Sequence, residues 1–334
     1  MRWALIGAST IAAQYMIPAI RAQDEGDILC VVSGSADRAR TFADEQGIPE
    51  GRTGLDEVLA RADIDAVYIS STNDKHFSQA MASIAAGKHV LCEKPLAMTL
   101  DDAASMVRAS EAAGTVFATN HHLRCSGSHR AVRSLIEEGR IGRILSLRIF
   151  HAVHLPPHLQ GWRINAADAG GGVIPDITVH DADVARFLLG EDPQTVVAQM
   201  GVSGMGQGVE DSAMSVWSLP SGAMVMSHES FTHPFAGSGL EVHGTRGSVF
   251  AQGVMTQNPV GRIELVSDSG RDEVPYSAHD LYVQGVRQFV DAVSGKDAPA
   301  ASGWDGVKSL AVAHAVREAA RTGVRQTVDY GGAK

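Results

Sequence analysis

Cysteine is scarce in this chain, with three in 334 residues: Cys30, Cys92 and Cys125. They stand far apart and none forms a C-x-x-C pair, which excludes a disulfide framework or a structural zinc site as the organising device. Cys30 and Cys92 fall inside apolar, strand-like runs, where a thiol packs as a small hydrophobe. Long hydrophobic runs are absent too: no stretch approaches the roughly 18 consecutive apolar residues of a membrane span. Met1-Arg2-Trp3 lead straight into an apolar strand pattern and Gly7, leaving no room for a charged leader and cleavage site. The expectation is a cytoplasmic protein with no membrane role. Positive charge is in deficit, 28 Lys and Arg against 38 Asp and Glu for a formal net charge of -10. A nucleic-acid surface needs clustered cations to replace phosphate counterions, so that partner is not expected. No internal repeat or low-complexity segment occurs.

What is present fits a packed globular protein: 44% hydrophobic and 20% charged residues. The length exceeds what one core usually supports, which predicts two domains, 1–120 and 121–334, with the last helices packing back on the first. Up to about residue 120, strand patterns near 2–6, 28–33, 65–70, 89–92 and 116–119 alternate with helical stretches. That alternation predicts an α/β, doubly wound parallel sheet. Helices are expected over Asp74–Ala86 and Asp101–Ala113, the second with Thr99 as N-cap and Gly114 as its stop. Beyond residue 142, strands gather near 143–153, 195–202, 212–219, 222–230, 239–243 and 262–266, with helices near 178–189, 279–294 and 304–322. This texture predicts an α+β second domain with a largely antiparallel sheet. Gly170-Gly171-Gly172 reads as a flexible loop.

The first strand ends in Gly7-Ala8-Ser9-Thr10-Ile11-Ala12, a strand-to-helix turn with the spacing of a dinucleotide site. Only the first glycine stands; Ser9 and Ala12 fill the other two places with small side chains. Such a turn lets a pyrophosphate approach the backbone at a helix N-terminus. The second strand ends at Ser33-Gly34-Ser35, where an NAD site carries an acid against the ribose hydroxyls. Here Ser33 and Arg38 can instead bond a 2′-phosphate that a carboxylate would repel, which favours NADPH over NADH. Alternatively, Arg38 and Arg40 form a solvated helix face. The third strand feeds Ser71-Thr72-Asn73-Asp74-Lys75-His76, a polar turn at the same ligand edge; His76 either packs at the next helix or contacts the cofactor.

Glu93-Lys94-Pro95 place an ammonium just past the end of the fourth strand. Asp176 and His180 stand at i and i+4 and share a face if that segment is helical throughout. Together with the nucleotide turn these suggest hydride transfer with proton transfer, for which His180 is a proton donor and Lys94 a positive group near the reacting atoms. Asp176, His180, Asp181 and Asp183 are metal-ligand types, but only the first two share a face, and no metal is expected. Asn120, His121, His122, Trp162, Arg163 and Tyr282 are further pocket candidates. Arg163, in a loop after Trp162, reaches a cofactor phosphate or substrate hydroxyl, or else forms a structural ion pair. His151, His154 and His158 have no spacing that assigns them a role.

The Ala-Leu-Ile-Gly opening, the Ser-Thr-Asn-x-x-His segment, Glu93-Lys94-Pro95 and Asp176-x-x-x-His180 together resemble the glucose-fructose oxidoreductase, inositol dehydrogenase and rhizopine-catabolism (GFO/IDH/MocA) family. The likeness spans nearly the whole chain. It implies an N-terminal Rossmann domain, a C-terminal domain with an open-faced sheet, and NADP-linked oxidoreduction of a small sugar or polyol ketone. It also implies a cis Lys94-Pro95 bond that directs Lys94, with Glu93 beside it. Lys94, Arg163, Asp176 and His180 would touch substrate, and Lys94 would border the nicotinamide. Inositol- or glucose-fructose-type chemistry, or a non-catalytic NADP-binding sensor, are the alternatives. The open sheet face is an expected surface for a homo-oligomer.

Overall fold

The computed structural model describes residues 1–333 as two compact units: Met1–His122 with Tyr282–Val307, and Leu123–Leu281 with the chain from Lys308 onward. In the first unit, β1 (Arg2–Ile6) passes through a π-helical turn (Ala12–Met16) into α1 (Ile17–Arg21). There follow β2 (Asp27–Val32), α2 (Ala36–Gln46), β3 (Glu50–Arg52), α3 (Leu55–Leu59), β4 (Ala66–Ile69), α4 (His76–Ala85), β5 (His89–Cys92), α5 (Leu100–Ala113) and β6 (Phe117–Thr119). The strands form one sheet in the order β3-β2-β1-β4-β5-β6, and every neighbouring pair is parallel.

Trp3 to Ile6 and all of β4 are buried, as in parallel strands whose crossover helices cover both faces; this is why they read as unbroken apolar runs. The chain order reverses between β1 and β4, the switch point at which such sheets open a crevice. The turns after Ile6, Val32, Ile69 and Cys92 all leave the carboxyl edge of this sheet. α5 begins where expected: Thr99 Oγ1 accepts the Asp102 N–H at 3.1 Å, and Gly114 ends it with φ 67.

The second unit contains α6 (Gly127–Glu137), β7 (Ile144–Ala152), α7 (Pro157–Asn165), a π-helical turn (Ile174–Thr178) and α8 (Val179–Leu189). Then come β8 (Thr195–Gly201), β9 (Ser212–Ser218), β10 (Met224–Ser230), β11 (Ser238–Gly244), β12 (Gly247–Gln252), β13 (Arg262–Ser267) and β14 (Gly270–Glu273). α9 (Leu281–Val293), α10 (Gly303–Thr322) and β15 (Gln326–Thr327) close the chain. The nine strands run β14-β13-β12-β11-β7-β10-β9-β8-β15. β7 and β10 pair in parallel, and the other neighbours are antiparallel. β9 alternates buried and exposed residues, the signature of a sheet covered on one face. α8 and the π-helical turn pack on β7 and β10. The opposite face leaves Val197, Met214, Val216, Met224 and Met226 exposed.

Residues 282–307 belong to the first unit: Phe289 of α9 packs on Trp3 with ring centroids 5.3 Å apart, and a Cβ on Gly303 would lie 2.6 Å from Phe117. The helix expected near 178–189 is preceded by the π-helical turn, which contains Asp176. Among the described residues no helix is long and apolar enough to cross a membrane.

Candidate active site

Gly7 is required by both its backbone and its surroundings. Its φ is +115, and a Cβ there would lie 2.8 Å from Ser70 C and Ser71 N, backbone atoms at the end of β4. Ser9, at the second glycine position, turns its small side chain to use. Its hydroxyl donates to Ser70 Oγ at 2.7 Å and accepts the Ala12 N–H at 3.2 Å. The turn is thus tied to β4 and the next helix is capped. Thr10 is exposed and Ile11 half-buried behind it.

At the end of β2, the Ser33 N–H donates to Arg52 O at 3.0 Å, and Ser35 caps α2 by accepting the Arg38 N–H at 3.4 Å. A Cβ on Gly34 would meet nothing within 4 Å. Arg38 Nη2 donates to Ala8 O at 2.7 Å, so this guanidinium reaches the first turn. Arg40 instead pairs with Asp37 at 2.7 Å on an exposed helix face. The two arginines of α2 therefore divide: Arg40 is the solvated one, and Arg38 stands at the carboxyl edge.

After β4, Ser71 Oγ donates to Gln79 Oε1 at 2.6 Å, Thr72 is half-buried, and Asn73 is 4% exposed. His76 corrects an expectation. It is fully buried, with Nδ1 2.8 Å from Pro95 O and Nε2 3.2 Å from Ser71 O. Burial lowers its pKa against the pull of those two carbonyls, so the ring is neutral and has one N–H, placed best toward the nearer Pro95 O. His76 therefore anchors the start of α4 to the Lys94–Pro95 corner through one hydrogen bond, and its ring is fully buried.

The Lys94–Pro95 peptide is cis. Glu93 is buried and its Oε1 accepts two bonds, from Tyr68 Oη and from Asn120 Nδ2, each 2.6 Å. The residue preceding Lys94 is thereby pinned to β4 and to the turn after β6, while Lys94 itself is half-buried. Asn120 was a pocket candidate, and Tyr68 was missed; a tyrosine in an otherwise aliphatic buried strand is the signal that could have found it. Tyr282 is buried in a stack, 4.8 Å from Tyr15 and 5.1 Å from His122. His121 is buried beside them.

In the second unit, Trp162 and Arg163 lie in α7 and not in a loop. α7 is kinked at Gly161, with φ 38 and ψ -128. Arg163 Nε lies 3.4 Å from Asp176 Oδ2, and its guanidinium stands 4.8 Å over the Trp162 ring. The glycine run is packed rather than loose. A Cβ on Gly171 would lie 2.7 Å from Trp162 O, and the Gly172 N–H donates to Arg163 O at 2.8 Å. Close backbone approach is therefore what places Arg163 beside Asp176. Asp176 sits in the π-helical turn, so a simple i,i+4 face with His180 does not hold; local π geometry is frequent at functional sites. His180, in the first turn of α8, is 7% exposed. The other two acids are committed elsewhere: Asp181 to His151 at 2.8 Å and Asp183 to Arg124 at 2.7 to 3.0 Å.

The first unit thus offers a nucleotide turn and a braced lysine, the second an imidazole and an arginine–carboxylate pair. Residues 1–121 match the description "Oxidoreductase family, NAD-binding Rossmann fold", and residues 129–250 match "GFO/IDH/MocA C-terminal domain". The chain is 50% identical over 331 residues to the 1,5-anhydro-D-fructose reductase of Ensifer adhaerens, covering 99% of each. It is 30% identical to the inositol 2-dehydrogenase of Rhizobium meliloti strain 1021, covering 94% of this chain and 95% of the other. Its fold matches the aldose-aldose oxidoreductase from Caulobacter crescentus complexed with glycerol, with TM-score 0.90, 24% identity and coverage of 98% and 99%. It also matches a 3-ketoreductase from Actinomadura kijaniata in complex with NADP and TDP-benzene, with TM-score 0.85, 25% identity and coverage of 96% and 97%. With both domain types matched and half the residues of a full-length relative shared, the chain belongs to the GFO/IDH/MocA family of oxidoreductases.

Proposed function

We propose that the protein reduces the C2 ketone of 1,5-anhydro-D-fructose to 1,5-anhydro-D-mannitol with NADPH. The observation that carries this reading is the 50% identity, across 99% of both chains, to a reductase of that name. The motif residues Lys94, Asp176 and His180 support it.

The residues at the carboxyl edge fit a dinucleotide. A side chain at Gly7 would strike the β4 backbone, so the turn stays bare for a pyrophosphate. Ser33 and Arg38 replace the acid of an NAD site by a hydroxyl and a cation, which suits a 2′-phosphate. Reduced nicotinamide, when bound, supplies the hydride. Lys94 then stabilises the negative charge that develops on the carbonyl oxygen, and His180 donates the proton that makes the alcohol. Asp176 and Arg163 hold substrate hydroxyls. The reaction belongs in the cytoplasm in this reading. The apolar face of the second unit's sheet, with a groove of about 660 Å³ lined by Val197, Met214, Val216, Met226 and Val324, is the surface for a homo-oligomer. A monomer at high concentration by sedimentation equilibrium would remove that part of the reading.

The test is oxidation of NADPH with 1,5-anhydro-D-fructose, beside NADH and beside myo-inositol or glucose with NADP+. NADPH-dependent turnover of the ketone is expected, with His180→Ala losing most of it while still binding NADPH. Activity only on another polyol overturns the substrate. Silence on every substrate, with NADPH bound, overturns the enzyme reading in favour of a sensor.

A further inference from the structure

The covered face of the second unit's sheet holds polar side chains where aliphatic packing would be expected. Alternation along β10 turns Val225, Ser227 and Glu229 inward. β7 pairs with β10 in parallel and sets His151 directly beside Glu229. α8 brings Asp181, the residue after His180, onto the same patch. His151 Nδ1 is 2.8 Å from Asp181 Oδ1. Ser227 Oγ is 3.1 Å from Asp181 Oδ2 and 2.7 Å from Glu229 Oε1. Asp181, Ser227 and Glu229 are fully buried, whereas the His151 side chain keeps 13% of its surface.

A hydroxyl has one hydrogen to donate, so it cannot serve two ionised carboxylates; one of them must itself carry a proton and donate to Ser227. Burial, and after it the charge of Asp181, raises the pKa of Glu229 well above the carboxylate range. The proton therefore resides on Glu229, and the order of donation runs Glu229, Ser227, Asp181. Asp181 accepts from Ser227 and from the His151 Nδ1–H, which fixes the orientation of the imidazole. The rings of His151 and His180 have centroids 6.3 Å apart at 46°, within reach of one bridging water. Two other ionisable groups beside this patch are already engaged. His129 is pushed down to about 4, by burial first and by His151 second, and is neutral at working pH. Asp183 is held by Arg124.

We propose that His151, oriented by Asp181, returns the proton to His180 after each turnover, with Ser227 and Glu229 as the buried support of that pair. The proposal rests on the assignment of His180 as proton donor. His180 gives its proton to the alkoxide, forming the O–H bond, and becomes a neutral imidazole. The His151 imidazolium releases its Nε2 proton to a solvent water, which passes a proton to His180. His151 then regains one from bulk solvent through its exposed edge. One solvent proton is consumed per ketone reduced, as the overall reaction requires. His151 and Asp181 act through His180 and are positioning residues for it.

The experiment compares parent, His151→Ala, Asp181→Asn and His180→Ala, each saturated with NADPH. For His151→Ala, kcat is expected to fall about tenfold or more with KM and NADPH affinity unchanged, and to recover as free imidazole is added; the parent does not respond to imidazole. For Asp181→Asn, the alkaline limb of the kcat profile should move to lower pH, and NMR titration should show a lower His151 pKa. A structural role predicts a loss that imidazole does not restore. Parent-like kcat in His151→Ala, or an Asp181→Asn protein with unmoved His151 titration, overturns the proposal. If His180→Ala keeps its turnover, the donor assignment fails instead, and with it the reading above. Should His151→Ala not fold, the titration and pH profile of Asp181→Asn decide.

Discussion

Tyr68 Oη donates to Glu93 Oε1 at 2.6 Å, from the buried strand beside the switch point to the residue that precedes Lys94. Asn120 Nδ2 donates to the same oxygen at the same distance. The buried carboxylate is thus a joint between β4, the end of β5 and the turn after β6, and the direction of Lys94 depends on it. Removing one donor leaves a buried acceptor underserved, which costs about 1–3 kcal/mol. Tyr68→Phe is expected to lower Tm and to reduce kcat severalfold while NADPH affinity holds. A Tyr68→Phe protein with parent Tm and parent kcat would show the joint to be idle.

Gly7→Ala puts a methyl 2.8 Å from the backbone of Ser70 and Ser71, at φ +115. The atoms in the way are main chain and cannot rotate aside, and the conformation itself costs about 1–3 kcal/mol for a residue with a Cβ. The β1 turn must shift away from β4. NADPH should bind about tenfold or more weakly, read by fluorescence titration, with Tm also lowered; unchanged affinity would separate this turn from the nucleotide.

Arg38→Ala tests the 2′-phosphate contact. A charge-assisted bond is worth about 1.5–3 kcal/mol, so the NADPH Kd should rise about 10- to 100-fold while the NADH Kd changes little. Ser33→Asp should shift the ratio in the same direction by repelling the phosphate. Equal weakening of both cofactors in Arg38→Ala would mean that this arginine serves only the Ala8 carbonyl, to which it donates at 2.7 Å.

Glu229 predicts the pH dependence of stability. Its pKa is raised in the folded protein, by burial and then by Asp181, so the native state holds a proton that the unfolded chain gives up near the usual carboxylate pKa. Its contribution is fully present below that value and is lost as pH rises toward the folded pKa. Glu229→Gln keeps the shape and a donor for Ser227 without an ionisable proton. Denaturant melts should show the variant gaining on the parent as pH rises above the usual carboxylate pKa. A difference that does not change with pH would mean that Glu229 is not a raised acid.

Much of the framework was legible because local physics decides it. Continuous apolar runs marked β1, β2, β4 and β5, since parallel strands are buried on both faces. Thr99 and Gly114 bounded α5 because unpaired helix ends need a cap and a left-handed stop. Lys94, Asp176 and His180 stood out as motif residues. β3, with the sequence Glu50-Gly51-Arg52, was invisible: it has no apolar residue, being at the sheet edge. Its glycine is there because a Cβ would lie 2.5 Å from Ala39 O, a demand made by α2 and not by any neighbour in the chain. Arg163, expected in a loop, lies in a helix because the break at Gly161 is contained within α7 as a kink.

The sequence by itself determined the two-domain class, the nucleotide turn and the chemical types that a ketone reductase needs, because periodicity, caps and small residues act over a few positions. Only the tertiary structure decided what those residues lean on. His76 became a buried brace on the Pro95 carbonyl, and Tyr68 and Asn120 met on Glu93. His151, Asp181, Ser227 and Glu229 came together through a parallel pairing of β7 with β10 beneath α8. Positions 151, 181, 227 and 229 carry no mutual spacing that a reader of the chain could use. Strand register and helix docking set their distances, and burial then decides which of them holds a proton.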